Sequence, residues 1–339
     1  MKRSMIWTMA AVALALAAPT APLQATDCNL NGVPDDRDIA GQMYWTDAGL
    51  HKIQRANLDG TNIEVLVSEG LISPWGIAID VAGRRMYWTD DGTNKVQRAY
   101  LDGSQVEDLV TSGLSFPFGI ALNLSARKMY WTDRGTLRIY RANLDGSNIQ
   151  TILWRIGAPF GIALDTAGGK MYWTETIRGL IHRANLDGSN VEDLLTDVAD
   201  PFCIELDIPG GKMYWPDGGR DIIQRSNLDG SEVETLVDSG LIFPFGIALD
   251  LIERKMYWTD GTIDRIQRAN LDGTEIEDLV FDVALPHCIA VVPASADCQG
   301  DGIPDECQLS GNDANGNLVP DDCERRRPET AVLSPPTDE

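Results

Sequence analysis

The stretch Met86-Tyr87-Trp88-Thr89-Asp90 decides the fold, because the chain carries five further copies or close variants of it. The copies begin at Met43, Met86, Met129, Met171, Met213 and Met256, so that neighbouring copies lie 42 or 43 residues apart. A regular period of this size is typical of solenoids and propellers. We therefore interpret the middle of the chain as one repeated object.

Each period contains four strand patterns. In one of them, Gly76–Asp80, Met86–Asp90, Val96–Tyr100 and Val106–Val110 are short segments rich in β-branched and aromatic residues. Turns containing Gly or Asp separate them, which is the pattern of an antiparallel meander. Since no amphipathic helical window intervenes, we predict an all-β chain in which one period forms one four-stranded sheet.

The two ends of the array are offset from each other. The first copy begins directly at Met43 without a preceding first strand, and the last is followed by an unpartnered first strand, Cys288–Val292. The C-terminal strand can therefore complete the N-terminal blade, which closes a ring and covers the sheet edges. A solenoid gains nothing from this offset. We predict a closed six-bladed β-propeller spanning residues 43–292.

Three recurring motifs resemble those of a known family. The Tyr-Trp-Thr-Asp motifs, the Arg-Ala-Asn-Leu-Asp-Gly segments and the Pro-Phe-Gly-Ile-Ala-Leu-Asp segments resemble the class B (YWTD) repeats of low-density lipoprotein receptors. This resemblance implies a six-bladed propeller that binds proteins and has no catalytic role. The chain departs from the motifs at Glu175, Cys203, Pro216, Ser226, His287 and Cys288.

The charged and aromatic residues that recur in every repeat are interpreted as structural. A Trp at the same place in each blade fits packing between blades, and one Arg per blade fits pairing inside the sheet. The repeated tryptophans are Trp45, Trp88, Trp131, Trp173, Trp215 and Trp258.

The N-terminus has the order of a secretory signal peptide. Lys2 and Arg3 precede the apolar stretch Ala10–Ala18, and small residues follow, so we expect cleavage after Ala25. We found no other segment that could cross a bilayer and expect an exported monomer, secreted or held in the cell envelope. The formal charge of −23 excludes nucleic acid as a primary partner.

The flanks of the propeller carry oxygen side chains with calcium-loop spacing. Alternate positions of such a loop converge on one ion. The segments look like the calcium repeats of dockerins and thrombospondin type 3 segments, and the alternative is a solvated acidic linker. The predicted ligands in residues 26–42 are Asp27, Asn29, Asn31, Asp35 and Asp38. Those in residues 293–324 are Asp297, Gln299, Asp301, Asp305, Asp313, Asn315, Asn317, Asp321 and Glu324. Residues 325–339 are predicted to be a disordered tail.

Six cysteines in an exported chain suggest disulfides. Cys28, Cys298, Cys307 and Cys323 lie in the calcium loops, and the sequence leaves three connectivities open. Cys203 and Cys288 occupy equivalent strand positions two blades apart, which we expect to be too far for a bridge. They are therefore predicted to be buried free thiols.

Two sets of residues are candidates for partner contacts. Arg134, Arg178 and Arg220 lie in loops of consecutive blades and could form a basic arc. A second set follows a Pro in each repeat, with packing as its alternative role: Trp75, Phe118, Phe160, Phe202 and Phe245. His51 and His287, on the closing blade, are expected to be polar surface.

The sequence therefore predicts a secreted, non-catalytic module that binds an extracellular protein or glycan, with calcium-stabilised flanks. One alternative is a structural component of an envelope or matrix. The other is a metal-dependent propeller hydrolase, which would need a metal in the channel. Glu205 is the one ionisable residue in the middle of a first strand.

Overall fold

The computed structural model describes residues 41–281 and 283–294. Within them the chain forms 24 strands in six four-stranded sheets and no helix. No helix in this part is long and apolar enough to cross a membrane. The predicted signal peptide, calcium ligands and tail lie outside the described residues.

Each sheet is one blade, with its strands in chain order from the axis outward except at the closure. Blade 1 contains β1 (Gln42–Asp47), β2 (Lys52–Asn57) and β3 (Glu64–Val67), and blade 2 contains β4 (Pro74–Asp80), β5 (Arg85–Asp90), β6 (Lys95–Tyr100) and β7 (Glu107–Val110). Blade 3 contains β8 (Pro117–Asn123), β9 (Lys128–Asp133), β10 (Arg138–Asn143) and β11 (Gln150–Trp154). Blade 4 contains β12 (Pro159–Asp165), β13 (Lys170–Glu175), β14 (Leu180–Asn185) and β15 (Glu192–Leu195). Blade 5 contains β16 (Glu205–Asp207), β17 (Lys212–Asp217), β18 (Ile222–Asn227) and β19 (Glu234–Val237). Blade 6 contains β20 (Pro244–Asp250), β21 (Lys255–Asp260), β22 (Arg265–Asn270) and β23 (Glu277–Val280), and β24 (Pro286–Val292) returns to blade 1.

The ring closes as the offset of the repeats predicts. The last strand, β24, pairs antiparallel with β1, with Ile289 opposite Trp45 and Val291 opposite Met43. The first blade therefore takes its innermost strand from the C-terminal end of the array. Closure in this way gives blade 1 the inner strand that every other blade has.

The repeated tryptophans fill the spaces between blades. All six are fully buried, and each of their clusters joins two neighbouring blades. Trp88 of blade 2, for example, packs in one cluster with Tyr44 and Ile53 of blade 1. Since a blade is apolar on both faces, this packing supplies the core of the molecule. The predicted packing role of the tryptophans is confirmed.

The repeated arginines fasten each blade to the next. Arg98 binds Glu107 of its own outer strand at 2.7 Å and donates to the carbonyl oxygen of Leu144 in the following blade at 2.9 Å. At the seam, Arg268 donates to the carbonyl oxygen of Leu58 at 3.0 Å and so joins blade 6 to blade 1. The predicted pairing inside the sheet is confirmed, and the link between blades is an additional role.

The motif threonines connect the inner strands. Thr174 accepts from the backbone N–H of Gly161 at 2.8 Å and donates to the carbonyl oxygen of Phe202 in the next blade at 2.5 Å. Blade 5 has Pro216 instead of Thr and lacks this hydroxyl. The N–H of Cys203 still binds the carbonyl oxygen of Phe245 at 3.2 Å, as the N–H of Gly161 binds that of Phe202 at 3.1 Å.

Candidate functional site

We call one end of the ring the top face. It carries the loops between the second and third strands of each blade and the loops that lead from one blade to the next. Because strands alternate in direction, both kinds of loop lie at the same end. Hydrogen bonds confirm their contact, for example from the N–H of Arg134 to the carbonyl oxygen of Phe116 at 3.0 Å. The Asp-Gly hairpins lie at the opposite end, the bottom face.

The motif aspartates hold the top loops together. Asp90 is fully buried and accepts hydrogen bonds from Ile72 at 2.9 Å and Ser73 at 3.2 Å, in the loop from the preceding blade. It also accepts one from Thr93 of its own loop at 2.8 Å. A carboxylate with two oxygens is suited to joining two loops.

The aromatic residues that follow Pro form a plug near the axis. Phe118, Phe160, Phe202 and Phe245 are buried in one cluster, and Trp75 packs against them. The Phe118 and Phe160 rings stack with centroids 4.3 Å apart. A direct partner contact through the four phenylalanines, as the sequence suggested, would therefore require the plug to open.

His287 is the sixth member of this plug. It follows Pro286 as the phenylalanines follow their prolines, and its ring stacks on Trp75 with centroids 3.4 Å apart. The expectation that it is polar surface was wrong, because the side chain is 2% exposed. Burial lowers the pKa of His287 to about 4, so that the ring is neutral at physiological pH.

Beneath the plug, the inner strands line a cavity of about 310 Å³. Five blades place an alanine at one level of its wall, namely Ala78, Ala121, Ala163, Ala248 and Ala290. Blade 5 has Glu205 at the equivalent position. Among the described residues, Glu205 is the one carboxylate in the lining, and no group of three His, Cys, Asp or Glu residues there could hold a metal.

Glu205 should make the stability of the fold depend on pH. Burial raises the pKa of Glu205 to about 7 from an ordinary 4.5. Between these two pH values the folded chain therefore keeps a proton that the unfolded chain has lost. The free energy of unfolding should therefore fall as pH rises from 4.5 through 7. We expect Glu205→Gln to remove this loss and to be more stable than the parent by roughly 1–3 kcal/mol at pH 8.

Urea unfolding of both proteins at pH 4.5 and pH 8 measures this effect. The exposed Glu69→Gln variant is the control, since it changes the same group outside the channel. Equal differences between parent and Glu205→Gln at the two pH values would show that the channel does not perturb this carboxyl group.

The three arginines predicted to form a basic arc differ in their surroundings. The guanidinium of Arg220 binds Asp197 at 2.8 Å and lies 3.4 Å from Asp217, so its charge is matched locally. Arg178 lies 3.3 Å from the buried Glu175, but its side chain stays 60% exposed. Arg134 sits over the ring of Phe118 at 5.9 Å. Of the predicted arc, Arg134 makes no ion pair among the described residues, and Arg178 pairs there only with the buried Glu175.

Exposed apolar side chains distinguish the two faces. On the bottom face one Ile or Val per blade recurs in the same place with nearly equal exposure: Ile63, Val106, Ile149, Val191, Val233 and Ile276. On the top face the exposed apolar residues differ from blade to blade. The two most exposed there are Ile177 at 70% and Trp154 at 64%. Because this exposure does not recur in every blade, the structure that the blades share does not explain it.

Blade 4 departs from its neighbours where these residues lie. Glu175 replaces the motif Asp, and its longer side chain accepts from the N–H of Gly157 at 2.7 Å while lying 3.4 Å from His182. Burial favours the neutral acid, but the interactions of Glu175 with His182, Gly157 and Arg178 together outweigh it, so the pKa of Glu175 is lowered. A side chain at Gly157 would collide with Arg178, which therefore lies over the loop that follows β11.

We call Leu137, Trp154, Arg155, Ile177 and Arg178 the basic–apolar patch. Its members come from the top loops and strand ends of the adjacent blades 3 and 4, and all five are exposed. Within the described residues, Arg155 makes no ion pair. The arginine loops were visible in the sequence, but Trp154 was missed because a Trp at the end of an outer strand has no repeated counterpart.

A protein-family model matches most of these repeats. The low-density lipoprotein receptor repeat class B model matches residues 41–81, 84–122, 127–166, 211–251 and 254–291, which is more than half of the chain. Residues 167–210, which include most of blade 4, fall outside the matched ranges.

Among curated proteins, a 38-residue segment is 53% identical to low-density lipoprotein receptor-related protein 4 of Homo sapiens. The same values hold for the Mus musculus and Rattus norvegicus proteins. The segment makes up 11% of this chain and 2% of the human relative, so the match spans a small part of that much longer protein.

Two solved structures share the fold. A chain in a crystal structure of a nidogen/laminin complex superposes with a TM-score of 0.70 and 24% identity, covering 76% of this chain and 100% of that one. TolB from Acinetobacter baumannii superposes with a TM-score of 0.62 and 17% identity, covering 78% of this chain and 69% of that one.

Proposed function

Because this chain belongs to the low-density lipoprotein receptor repeat class B family, we propose that it is a non-catalytic module that binds an extracellular protein through its top face. The observation that carries the proposal is the basic–apolar patch. It contains the exposed residues Trp154, Ile177 and Arg178. The residues that recur in every blade, by contrast, hold the blades together. A propeller of this fold also occurs in the solved nidogen/laminin complex, which supports a binding role.

The composition of the patch suits a protein interface. Trp and Arg are the residues most often responsible for binding energy, and a binding surface commonly surrounds an apolar centre with polar groups. Trp154 and Ile177 supply the apolar area, and Arg155 and Arg178 supply the charge. Within the described residues Arg155 makes no ion pair, so burial at an interface would leave its charge without a counter-charge. We therefore propose that the partner presents a carboxylate beside apolar side chains. A glycan remains the alternative ligand.

Propeller rigidity supports this use of the loops. Asp90 and its equivalents clamp each top loop to its neighbour, so the loops bind with little loss of conformational freedom. Loops on a rigid scaffold commonly carry function. The buried plug of Phe118, Phe160, Phe202 and Phe245 would support the loops from below.

We further propose export through the N-terminal signal segment and calcium binding by the flanking loops that begin at Asp27, Asp297 and Asp313. The sequence spacing supports this calcium proposal. A hard cation would offset the mutual repulsion of these carboxylates. Export to an oxidising compartment would also allow the six cysteines to form disulfides.

The binding proposal predicts that charge reversal on the top face strongly reduces partner capture. The test variant is Ile177→Asp with Arg178→Glu, and the matched control is Val191→Asp with Arg127→Glu on the bottom face. Both change the charge equally at exposed positions. We expect the top-face variant to retain at least about tenfold less partner from extracellular and envelope fractions, because each member of the pair removes an interface anchor.

Capture is measured by quantitative mass spectrometry on the immobilised full-length chain, with calcium and with chelator. Equal loss for both variants would show that net charge, not the patch, governs capture. Retention by the top-face variant with loss in the control would place the interface on the bottom face. Loss on chelation alone would assign binding to the flanking loops.

A further inference from the structure

The inner strands come closest together just beneath the aromatic plug. Six equivalent positions form a neck there: Gly76, Gly119, Gly161, Cys203, Gly246 and Cys288. A side chain at Gly246 would meet the carbonyl oxygen of His287 at 2.4 Å and the Cα of Cys288 at 2.9 Å. The neck therefore has almost no room for side chains, and yet two blades place a cysteine in it.

The two cysteines meet across blade 6. Their sulfur atoms lie 2.7 Å apart, although Cys203 belongs to blade 5 and Cys288 to the closing strand β24. Gly246 of the intervening blade lacks a side chain and leaves the path between them open. The expectation that these cysteines are too far apart for a bridge was wrong, because the first strands converge on the axis more closely than the spacing of blades suggests.

We infer that Cys203 and Cys288 form a disulfide bond in the exported protein. In its formation one thiolate attacks an external disulfide, such as glutathione disulfide or the disulfide of a thiol oxidoreductase, and releases one thiol. The second cysteine then attacks the mixed disulfide and releases the second thiol. The two protein thiols lose two protons and two electrons, and the external disulfide is reduced to two thiols.

The site controls when this exchange can occur. The hydrogen bond to Cys288 and burial raise the pKa of the Cys203 thiol, which disfavours the thiolate that exchange requires. The bond should therefore form while the ring is still open, and afterwards the folded protein should resist reduction. Since the bridge joins blade 5 to the closing strand, it locks the seam at which β24 meets β1.

Peptide mapping of the full-length protein, produced by export and never reduced, tests the inference. Denaturation with an alkylating agent precedes digestion by a protease that cleaves before aspartate. Asp200 and Asp207 bracket Cys203, and Asp282 and Asp297 bracket Cys288, so each cysteine falls on its own fragment. We expect fragments 200–206 and 282–296 to be joined and to separate on reduction.

Thermal melting gives a second readout. The bridge closes a loop of 85 residues, so Cys203→Ser with Cys288→Ser should lower Tm by about 10 °C. Recovery of both cysteines as alkylated thiols from the unreduced parent would overturn the inference. A bond from either residue to Cys28, Cys298, Cys307 or Cys323 would overturn it equally. Mapping uses the parent chain and does not depend on folding of the variant.

Discussion

Replacing Trp88 by alanine should lower the free energy of unfolding by about 3–5 kcal/mol. The side chain is fully buried between blades 1 and 2, where it packs against Tyr44 and Ile53. Its indole N–H also donates to the side-chain oxygen of Gln97 at 3.1 Å. Alanine would leave a cavity and a buried acceptor without its donor, and both effects destabilise the folded state.

The chain provides a matched control for this change. Trp154 undergoes the same substitution at an exposed position of the top face, so Trp154→Ala should change stability by less than about 1 kcal/mol. Urea unfolding followed by circular dichroism measures both variants. Similar losses for the two would contradict the assignment of Trp88 to the core between blades. The Trp154 variant should instead lose partner capture.

Replacing Asp47 by alanine should destabilise the protein by about 2–4 kcal/mol and loosen the closure of the ring. Asp47 accepts from the N–H of Ala284 at 2.9 Å across the seam between blades 6 and 1, and from Leu50 of its own loop at 2.8 Å. Alanine leaves both part-buried donors without this acceptor. Hydrogen exchange should become faster in β1 and β24, because these strands meet at the seam.

The control is Asp59→Ala, which removes an exposed aspartate from a hairpin of the same blade. Among the described residues Asp59 hydrogen-bonds only to the neighbouring Thr61, at 2.9 Å to its N–H, so the expected cost is about 1 kcal/mol or less. If Asp47→Ala left exchange in β24 unchanged, the seam would not depend on this carboxylate. The seam would then be held by strand pairing, by the Arg268 contact and by the packing of Trp45 between blades 6 and 1.

The fold follows from features that the sequence repeats. The period of the Met-Tyr-Trp-Thr-Asp motif predicts the six blades, and the offset of Cys288–Val292 predicts the closing strand. Strand limits were close: the predicted first strand Gly76–Asp80 begins at Pro74 in the structure. Periodic patterns predict the fold well because equivalent residues make the same packing contacts in every blade.

The parts that the sequence did not predict are those where one blade differs from the others. The contact of Cys203 with Cys288 depends on how closely the inner strands converge. The burial of His287 could have been inferred from its alignment with the phenylalanines that follow Pro, but a histidine near a seam suggested surface. Exposure of Trp154 depends on a loop conformation that has no counterpart in the repeats.

Site-specific photo-crosslinking tests most directly the claim that the top face binds the partner. A photoreactive amino acid is placed at Ile177 in one full-length protein and at Val191, on the bottom face of the same blade, in another. Both positions are exposed. We predict a crosslinked partner from extracellular fractions with the Ile177 protein and none with the Val191 protein. Crosslinking only at Val191 would contradict the account.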